Sequence, residues 1–346
     1  MRVHVRGLPS RLPAARRLVV AFFLVVLSGC ELRQVTVAEP ESAVVAEIYL
    51  RVDQGRPDGL ALLHRTFGPG ERPPPEASIR LRSSSGEEAR FTRADPRACL
   101  DGELPEGLRP SCYRLDGPEA ALIRPGARLA VEVELVGGGR LEGNTLVPGD
   151  FSILNPAGLD SSAGGEGEGE ESGTALPACV IPPSSPILLS WTSSRGVWAY
   201  VPELEVSGLR AALAPSGIEV ERDSLTLLGL AISEADTTIV FPGGFGVFSR
   251  FSGDREVLVA LQAGLPPGDV QGRVVVSAAD RNTTNWNRGG NFNPSGLVRV
   301  PSLFGDGTGV LGSVVNRGFK FQVGGDPGGE VVCGPPSAGW GVGGPP

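Results

Sequence analysis

The sequence predicts an all-β protein built from two β-sandwiches joined by a flexible linker, and three observations carry that expectation. Apolar residues recur at every second position in short runs from residue 44 onward, the period of a half-buried strand. Fifty glycines and 31 prolines in 346 residues punctuate those runs and disfavour long helices. Between the two halves lies GGEGEGEESGT, which has no apolar side chain to bury and whose glutamates repel one another. A chain of 346 residues exceeds one typical domain, which makes two the prior.

The chain opens with five arginines (Arg2, Arg6, Arg11, Arg16, Arg17), then the apolar run Leu18 to Leu27, then Ser28, Gly29 and Cys30. That order is a secretion signal over residues 1–29. As a helix the apolar run rises about 15 Å, half of a roughly 30 Å hydrocarbon core, too short to span it. Leu27-Ser28-Gly29-Cys30 resembles the bacterial lipobox, which implies that Cys30 is acylated and becomes the mature N-terminus, with palmitate among its chains. An ordinary signal peptide with a chance cysteine is the alternative. Residues 30–40 then form a tether. Glu31, where an aspartate would retain the protein at the inner membrane, is compatible with sorting to the outer membrane.

Removing residues 1–29 leaves 26 basic against 39 acidic residues, a charge near −13. A chain this acidic is a poor partner for nucleic acid or for anionic lipid head groups. Lys320 is the sole lysine, which reads as genome composition. His64 is the only histidine after the leader and sits in the alternating run LALLHRTF, the setting of a satisfied strand histidine. No G-x-S-x-G, H-E-x-x-H or C-x-x-C occurs. The expectation is therefore a non-enzyme with no catalytic, cofactor or metal residues. Besides Cys30, four cysteines in an oxidising compartment predict two disulfides. Three connectivities are possible, and Cys99–Cys112 with Cys179–Cys333 is the simplest.

The first domain is expected over residues 41–155. In AVVAEIYLRV the residues Val44, Ala46, Ile48, Leu50 and Val52 share a face. LALLHRTF, SIRLR (Ile79 and Leu81 inward) and EARFTR follow, and RLAVEVEL then puts Leu129, Val131, Val133 and Leu135 on one face. Gly137 to Gly139 supply a hairpin turn into RLEGNTLVP. PPPEASIRLRSSSGEEARFT, the later CYRL and RPGARLAVEVELVGGGRLEGNTLVP resemble the transthyretin-like or carboxypeptidase-regulatory pattern, which implies a sandwich and no particular activity.

Residues 156–178 are the linker, and the second domain is expected over 179–325. Its opening, SSPILLSWTSSRGVWAYVPELEV, places Ile187, Leu189 and Trp191 on one face before a turn at Ser193 to Gly196. This resembles the first strand pair of a fibronectin type III domain with Trp191 as core tryptophan. Pro202 suggests an edge or a break in the second strand. The last strand is GFKFQV, with Phe319, Phe321 and Val323 inward, and a Gly/Pro-rich tail covers 326–346. Both domains are thus expected to be immunoglobulin-like β-sandwiches. Gly307-Thr308-Gly309-Val310-Leu311-Gly312 spells G-x-G-x-x-G, but without a strand–helix unit it reads as a turn rather than a nucleotide site.

The stretch Arg281 to Ser295, RNTTNWNRGGNFNPS, lacks strand periodicity and reads as a long loop, of the kind that is usually functional or disordered. Asn282, Asn285, Asn287, Asn291 and Asn293 surround Trp286 and Phe292, with Arg281 and Arg288 beside them. Tryptophan and arginine anchor interfaces while asparagine adapts its hydrogen bonds, which makes Trp286, Arg288, Phe292, Asn285 and Asn287 candidate interaction residues. The other reading has Trp286 and Phe292 folding back to complete a core, the commoner fate of aromatics in Gly-rich loops. With the lipobox and the first domain, the segment AADRNTTNWNRGGNFNPSGLVRVPSLFGDGTGVLGSVVNRGFKF resembles a domain-of-unknown-function family of Gram-negative outer-membrane lipoproteins, often encoded beside TonB-dependent receptors. The resemblance implies a lipid-anchored binding protein of the outer membrane, on its periplasmic or its surface side, accessory to such a receptor or transporter. A structural or adhesive lipoprotein whose sandwiches act as spacers is the alternative.

Overall fold

Alternation of apolar and polar residues becomes strand, 49% of the described residues against 14% helix, which makes the protein mostly β. The computed structural model describes residues 43–66, 73–100, 109–159, 176–229, 235–243, 247–249, 255–288 and 299–334. Cys30 with the leader and tether, the Gly/Glu stretch of the linker, the Arg288 side chain, Phe292 and residues 335–346 lie outside them. The first strands are β1 (Val44–Asp53), β2 (Arg56–Arg65), β3 (Ala77–Ser83), β4 (Glu88–Arg90), β5 (Thr92–Ala94), β6 (Ser111–Leu115), β7 (Arg128–Leu135), β8 (Arg140–Leu146) and β9 (Ile153–Asn155). Then come β10 (Ala178–Ile181), β11 (Ile187–Trp191), β12 (Ala199–Ser207), β13 (Leu225–Gly229), β14 (Thr238–Phe241) and β15 (Val247–Ser249). The last are β16 (Gln271–Ala279), β17 (Leu303–Gly305), β18 (Gly307–Val323) and β19 (Val332–Gly334). Among the described residues three α-helices intervene: α1 (Leu209–Leu213), α2 (Arg255–Ala260) and α3 (Arg281–Arg288).

The inward faces are those the alternation predicts. Val44, Ala46, Ile48, Leu50 and Val52 are buried on β1, Ile79 and Leu81 on β3, and Leu129, Val131 and Val133 on β7. Each such large side chain contributes about 1.5–3 kcal/mol on full burial. Gly137, Gly138 and Gly139 all take positive φ in the β7–β8 hairpin, a backbone that other residues adopt only under strain.

The 17-residue strand β18 organises the rest. Its first part lies parallel to β1, from Val45↔Thr308 to Asp53↔Asn316, and antiparallel to β17. Its second part lies antiparallel to β16, from Ala279↔Val314 to Gln271↔Gln322, and parallel to β10. From β1 the pairing runs on through β2 and β6 to β5, and from β17 through β8, β7 and β3 to β4. Only Phe91 separates β4 from β5, and its N–H still donates to the Ile79 carbonyl at 3.0 Å. The circuit of ladders therefore closes on itself as a barrel-like first lobe. Gly59 makes room for the bend, because a Cβ there would stand 3.0 Å from the Phe91 ring.

In the second lobe the order is β15-β13-β12-β16-β18, with β10 and β19 beyond β18, and the small sheet β14-β11-β9 is separate. Trp191 on β11 meets Tyr200 on β12 edge-to-face with ring centroids 5.3 Å apart, joining the two sheets. Trp191 is thus the core tryptophan expected. β11 and β12 are not a strand pair, however: β11 pairs with β14 and β9, and β12 with β13 and β16. Pro202 does not break β12: it pairs with Val276 of β16, while the ladder to β13 covers only Glu203 to Val206, so at Pro202 the strand is laddered on one side.

Three sequence expectations need correction. The G-x-G-x-x-G is not a turn but the opening of β18. Its glycines mark close approach: a Cβ on Gly309 would strike the Ala46 carbonyl oxygen, and one on Gly312 the Thr283 hydroxyl. The stretch Arg281 to Ser295 is not wholly loop, since its first eight residues form α3. The halves 41–155 and 179–325 are not self-contained sandwiches either. The first lobe takes a stave from β18, the second takes β9, and one continuous core runs from Ala46 to Phe321.

Both disulfides join the partners of the simplest connectivity. Cys99–Cys112 ties the short helical turn after Asp95 to β6, and Cys179–Cys333 links directly opposed residues of β10 and β19. Neither crosses the linker. If a protease site is introduced between Ser161 and Thr174 and cut, the two pieces should elute together on gel filtration, with or without reductant. Elution as two separately folded pieces would restore the two-sandwich division.

Candidate functional site

The outward face of β3, β7 and β8 carries the polar residues that the alternation leaves over. Across it Arg80, Glu132, Glu142 and Phe304 stand opposite one another on β3, β7, β8 and β17. Two carboxylates directly opposed, Glu132 and Glu142, are unfavourable by themselves. Arg140 relieves the pair, with a guanidinium nitrogen 2.9 Å from Glu132 and Nε 2.5 Å from Glu142. Arg80 sits 3.4 Å from Glu132 and 2.6 Å from Glu134, and Arg82 pairs with Glu88. Guanidiniums and carboxylates thus hold one another in a fixed lattice, although exposed pairs of this kind add little stability, about 0–1 kcal/mol each.

Above this face α3 and residues 300–305 form two walls of a groove of about 840 Å³. Arg281, Asn282 and Asn285 line it from the helix, and Phe304, 62% exposed, stands at its rim. A second hollow of about 310 Å³ shares Arg82, Ala130 and Asn144 with it. A third, of about 560 Å³, shares Ser83, Ser84 and Arg128 with the second, so the hollows adjoin along one face of the lobe.

The groove depends on how α3 is fixed. Asp280, 3% exposed, precedes the helix and accepts the Thr283 N–H at 2.8 Å, the Ser313 N–H at 3.2 Å and the Thr145 hydroxyl. It is an N-cap that also ties α3 to β8 and β18. Asn282 Nδ2 donates to the carbonyls of Asn144 and Leu311, both at 2.9 Å. One turn on from Asn282, Trp286, 5% exposed, packs with Val45, Val310 and Tyr49. The Arg299 guanidinium lies over its ring at 5.1 Å and reaches Glu47 at 3.3 Å. His64 Nε2 lies 3.9 Å from the same Glu47 carboxylate, and that carboxylate raises the His64 pKa against the opposing effect of burial. Burial and Glu47 together raise the Tyr49 hydroxyl far beyond its usual range, against Arg299 and Trp286.

Of the residues singled out in the sequence, Asn285 lines the groove, Asn287 is exposed, and Trp286 is a core residue of a small cluster. Arg281 lies over the Trp198 ring at 5.3 Å and makes no ion pair among the described residues. Sequence reasoning passed over Arg80, Glu132, Arg140 and Glu142, because in SIRLR, RLAVEVEL and RLEGNTLVP outward charges read simply as a solvated face, and Phe304 is a lone aromatic before the turn glycines of SLFGDG. Among the described residues no three His, Cys, Asp or Glu side chains gather as a metal site. No family model matches the chain, and none of the curated proteins matches it.

Trp286→Ala is expected to lower stability by about 3–5 kcal/mol, read by urea unfolding, since it empties the cluster that seats α3. A second outcome concerns pH. A His64 pKa raised in the folded state contributes stability that is complete below about pH 6.5 and is lost as pH climbs through the folded value. The melting temperature of the parent protein should therefore fall from pH 6.5 upward more steeply than that of His64→Gln. Parallel pH profiles would remove His64 from the stability of this wall.

Proposed function

We propose that the protein is a lipid-anchored binding protein of the bacterial cell envelope, held at the outer membrane by Cys30 and accessory to a TonB-dependent receptor or transporter. The observation that carries the binding role is the groove beside α3, a preformed concave surface whose polar groups are fixed by one another before any ligand arrives. Such preorganisation lowers the entropy lost on binding. The lipobox and the resemblance to receptor-linked lipoproteins support the location and the partner. In the same reading the lobe around Trp191 is an immunoglobulin-like sandwich that takes its last strand from β18, and the chemistry is binding without catalysis.

Anchoring follows from the lipid itself, because each buried CH₂ contributes about 0.8 kcal/mol and more than one chain gives lasting attachment. Cys30→Ser should abolish palmitate labelling and leave an unprocessed precursor. Normal labelling and processing of that variant would overturn the anchor. Pull-down of the acylated protein from solubilised membranes should bring a stoichiometric β-barrel partner. Absence of any partner would favour the structural spacer.

A further inference from the structure

The groove's charge arrangement is specific enough to indicate its ligand class. On the floor each guanidinium carries a carboxylate: Arg80 with Glu132 and Glu134, Arg140 with Glu132 and Glu142, Arg82 with Glu88. An anionic ligand would have to compete with those carboxylates for each floor arginine, and a cationic one with the arginines for each carboxylate, while Arg281 on the wall lies over the Trp198 ring. The lattice offers little net field to either. What it offers is a dense, fixed array of donors and acceptors side by side. A hydroxyl is one donor and two acceptors, so neighbouring hydroxyls on one ligand can satisfy both kinds of group at once. Hydrogen bonds to charged groups are also the stronger ones.

Two further observations narrow the class. Phe304 is an exposed ring in the same cross-strand row as Glu142, with Val300, also exposed, on the wall beside it. An aromatic face carries partial negative charge and attracts C–H groups, which suits a ligand with a ring of C–H bonds between its hydroxyls. The three hollows also adjoin one another, which suits an elongated ligand rather than a single small one. A peptide added as a strand is disfavoured, because among the described residues β7 is laddered on both sides, β17 covers the start of β8, and beyond it the Asn144 carbonyl is already taken by Asn282.

We infer that the groove binds an uncharged oligosaccharide, with Phe304 packing on a sugar ring and the Arg140–Glu142 pair bonding its hydroxyls. The inference rests on the groove being a binding face, as proposed above, but not on the lipid anchor or the receptor.

The test is calorimetric titration of the full acylated chain, in detergent micelles, with maltohexaose, cellohexaose and chitohexaose, and with the polyanion tetragalacturonate. At least one neutral hexasaccharide should bind saturably with a dissociation constant below about 1 mM and more tightly than the polyanion. Phe304→Ala and Glu142→Gln should each weaken that binding about tenfold or more, with the melting temperature unchanged. Phe304 is exposed, so its truncation keeps the test readable even if Glu142→Gln disturbs the ion-pair lattice. No neutral binding up to about 5 mM, tighter binding of tetragalacturonate, or full affinity in the Phe304 variant would overturn the inference. Capture of the membrane partner is read separately. Its survival when sugar binding fails leaves the accessory role standing without this ligand.

Discussion

The structure depends on one strand serving two lobes. β18 enters as a stave of the first lobe, flanked by β1 and β17, and leaves between β16 and β10 in the second. A break at residues 314–316, where it pairs with β1 on one side and β16 on the other, would open both lobes together. Its composition fits the double role. The glycines at 307, 309 and 312 lie in the part where neighbouring backbone and α3 come closest, while Phe319 and Phe321 fill the second core. The partnership of β1 with β18 also joins residues more than 250 positions apart, the kind of long-range pairing that raises contact order and slows folding.

Where β18 passes from one lobe to the next, Asp280 fastens the junction. A buried carboxylate without a cation is expensive unless its lone pairs are satisfied. Here the Thr145 hydroxyl and the backbone N–H groups of Thr283 and Ser313 supply the bonds. The Thr283 donor belongs to the first turn of α3, where the helix dipole favours negative charge. The Ser313 hydroxyl, 2.9 Å from that of Thr145, extends the network between β18 and β8. Each bond ends on a different element, so Asp280 fixes the place of α3 relative to the sheet as well as its first turn. The groove wall follows from that placement.

The strands were legible because a period of two states both the element and its buried face. The topology was not, because alternation carries no information about which strand lies beside which. β18 was hidden by its glycines: G-x-G-x-x-G is punctuation in one setting and close approach in another, and only the neighbours Ala46 and Thr283 decide between them. α3 was hidden for a different reason. It has no apolar stripe, since one tryptophan, a cap and the Asn282 bonds hold it, and a single apolar residue among Arg, Asn and Thr marks no buried face by its spacing. Trp286 could be placed as a core candidate from its residue type alone. The groove could not be, because its floor joins alternate residues of β3, β7 and β8 that look in sequence like any solvated face.

That face is poorly explained by stability. Glu132 opposite Glu142 is a like-charge cross-strand pair, and a β-branched or Thr–Thr pair at the same register would strengthen the sheet more. The arginines that relieve it are half-exposed and contribute little, while Phe304 leaves most of a large apolar ring in water. The inward residues of β3 and β7 show no such departure: Ile79, Leu81, Leu129, Val131 and Val133 are all buried apolar groups, and on β8 the one buried polar side chain, Thr145, is bonded to Asp280. A surface that violates local preference on one side of a sheet whose other side obeys it is the pattern expected where binding, rather than folding, has set the residues. With β7 laddered on both sides and the end of β8 tied to α3 through Asn282, the face is held on several sides and keeps its charge lattice in place without a ligand.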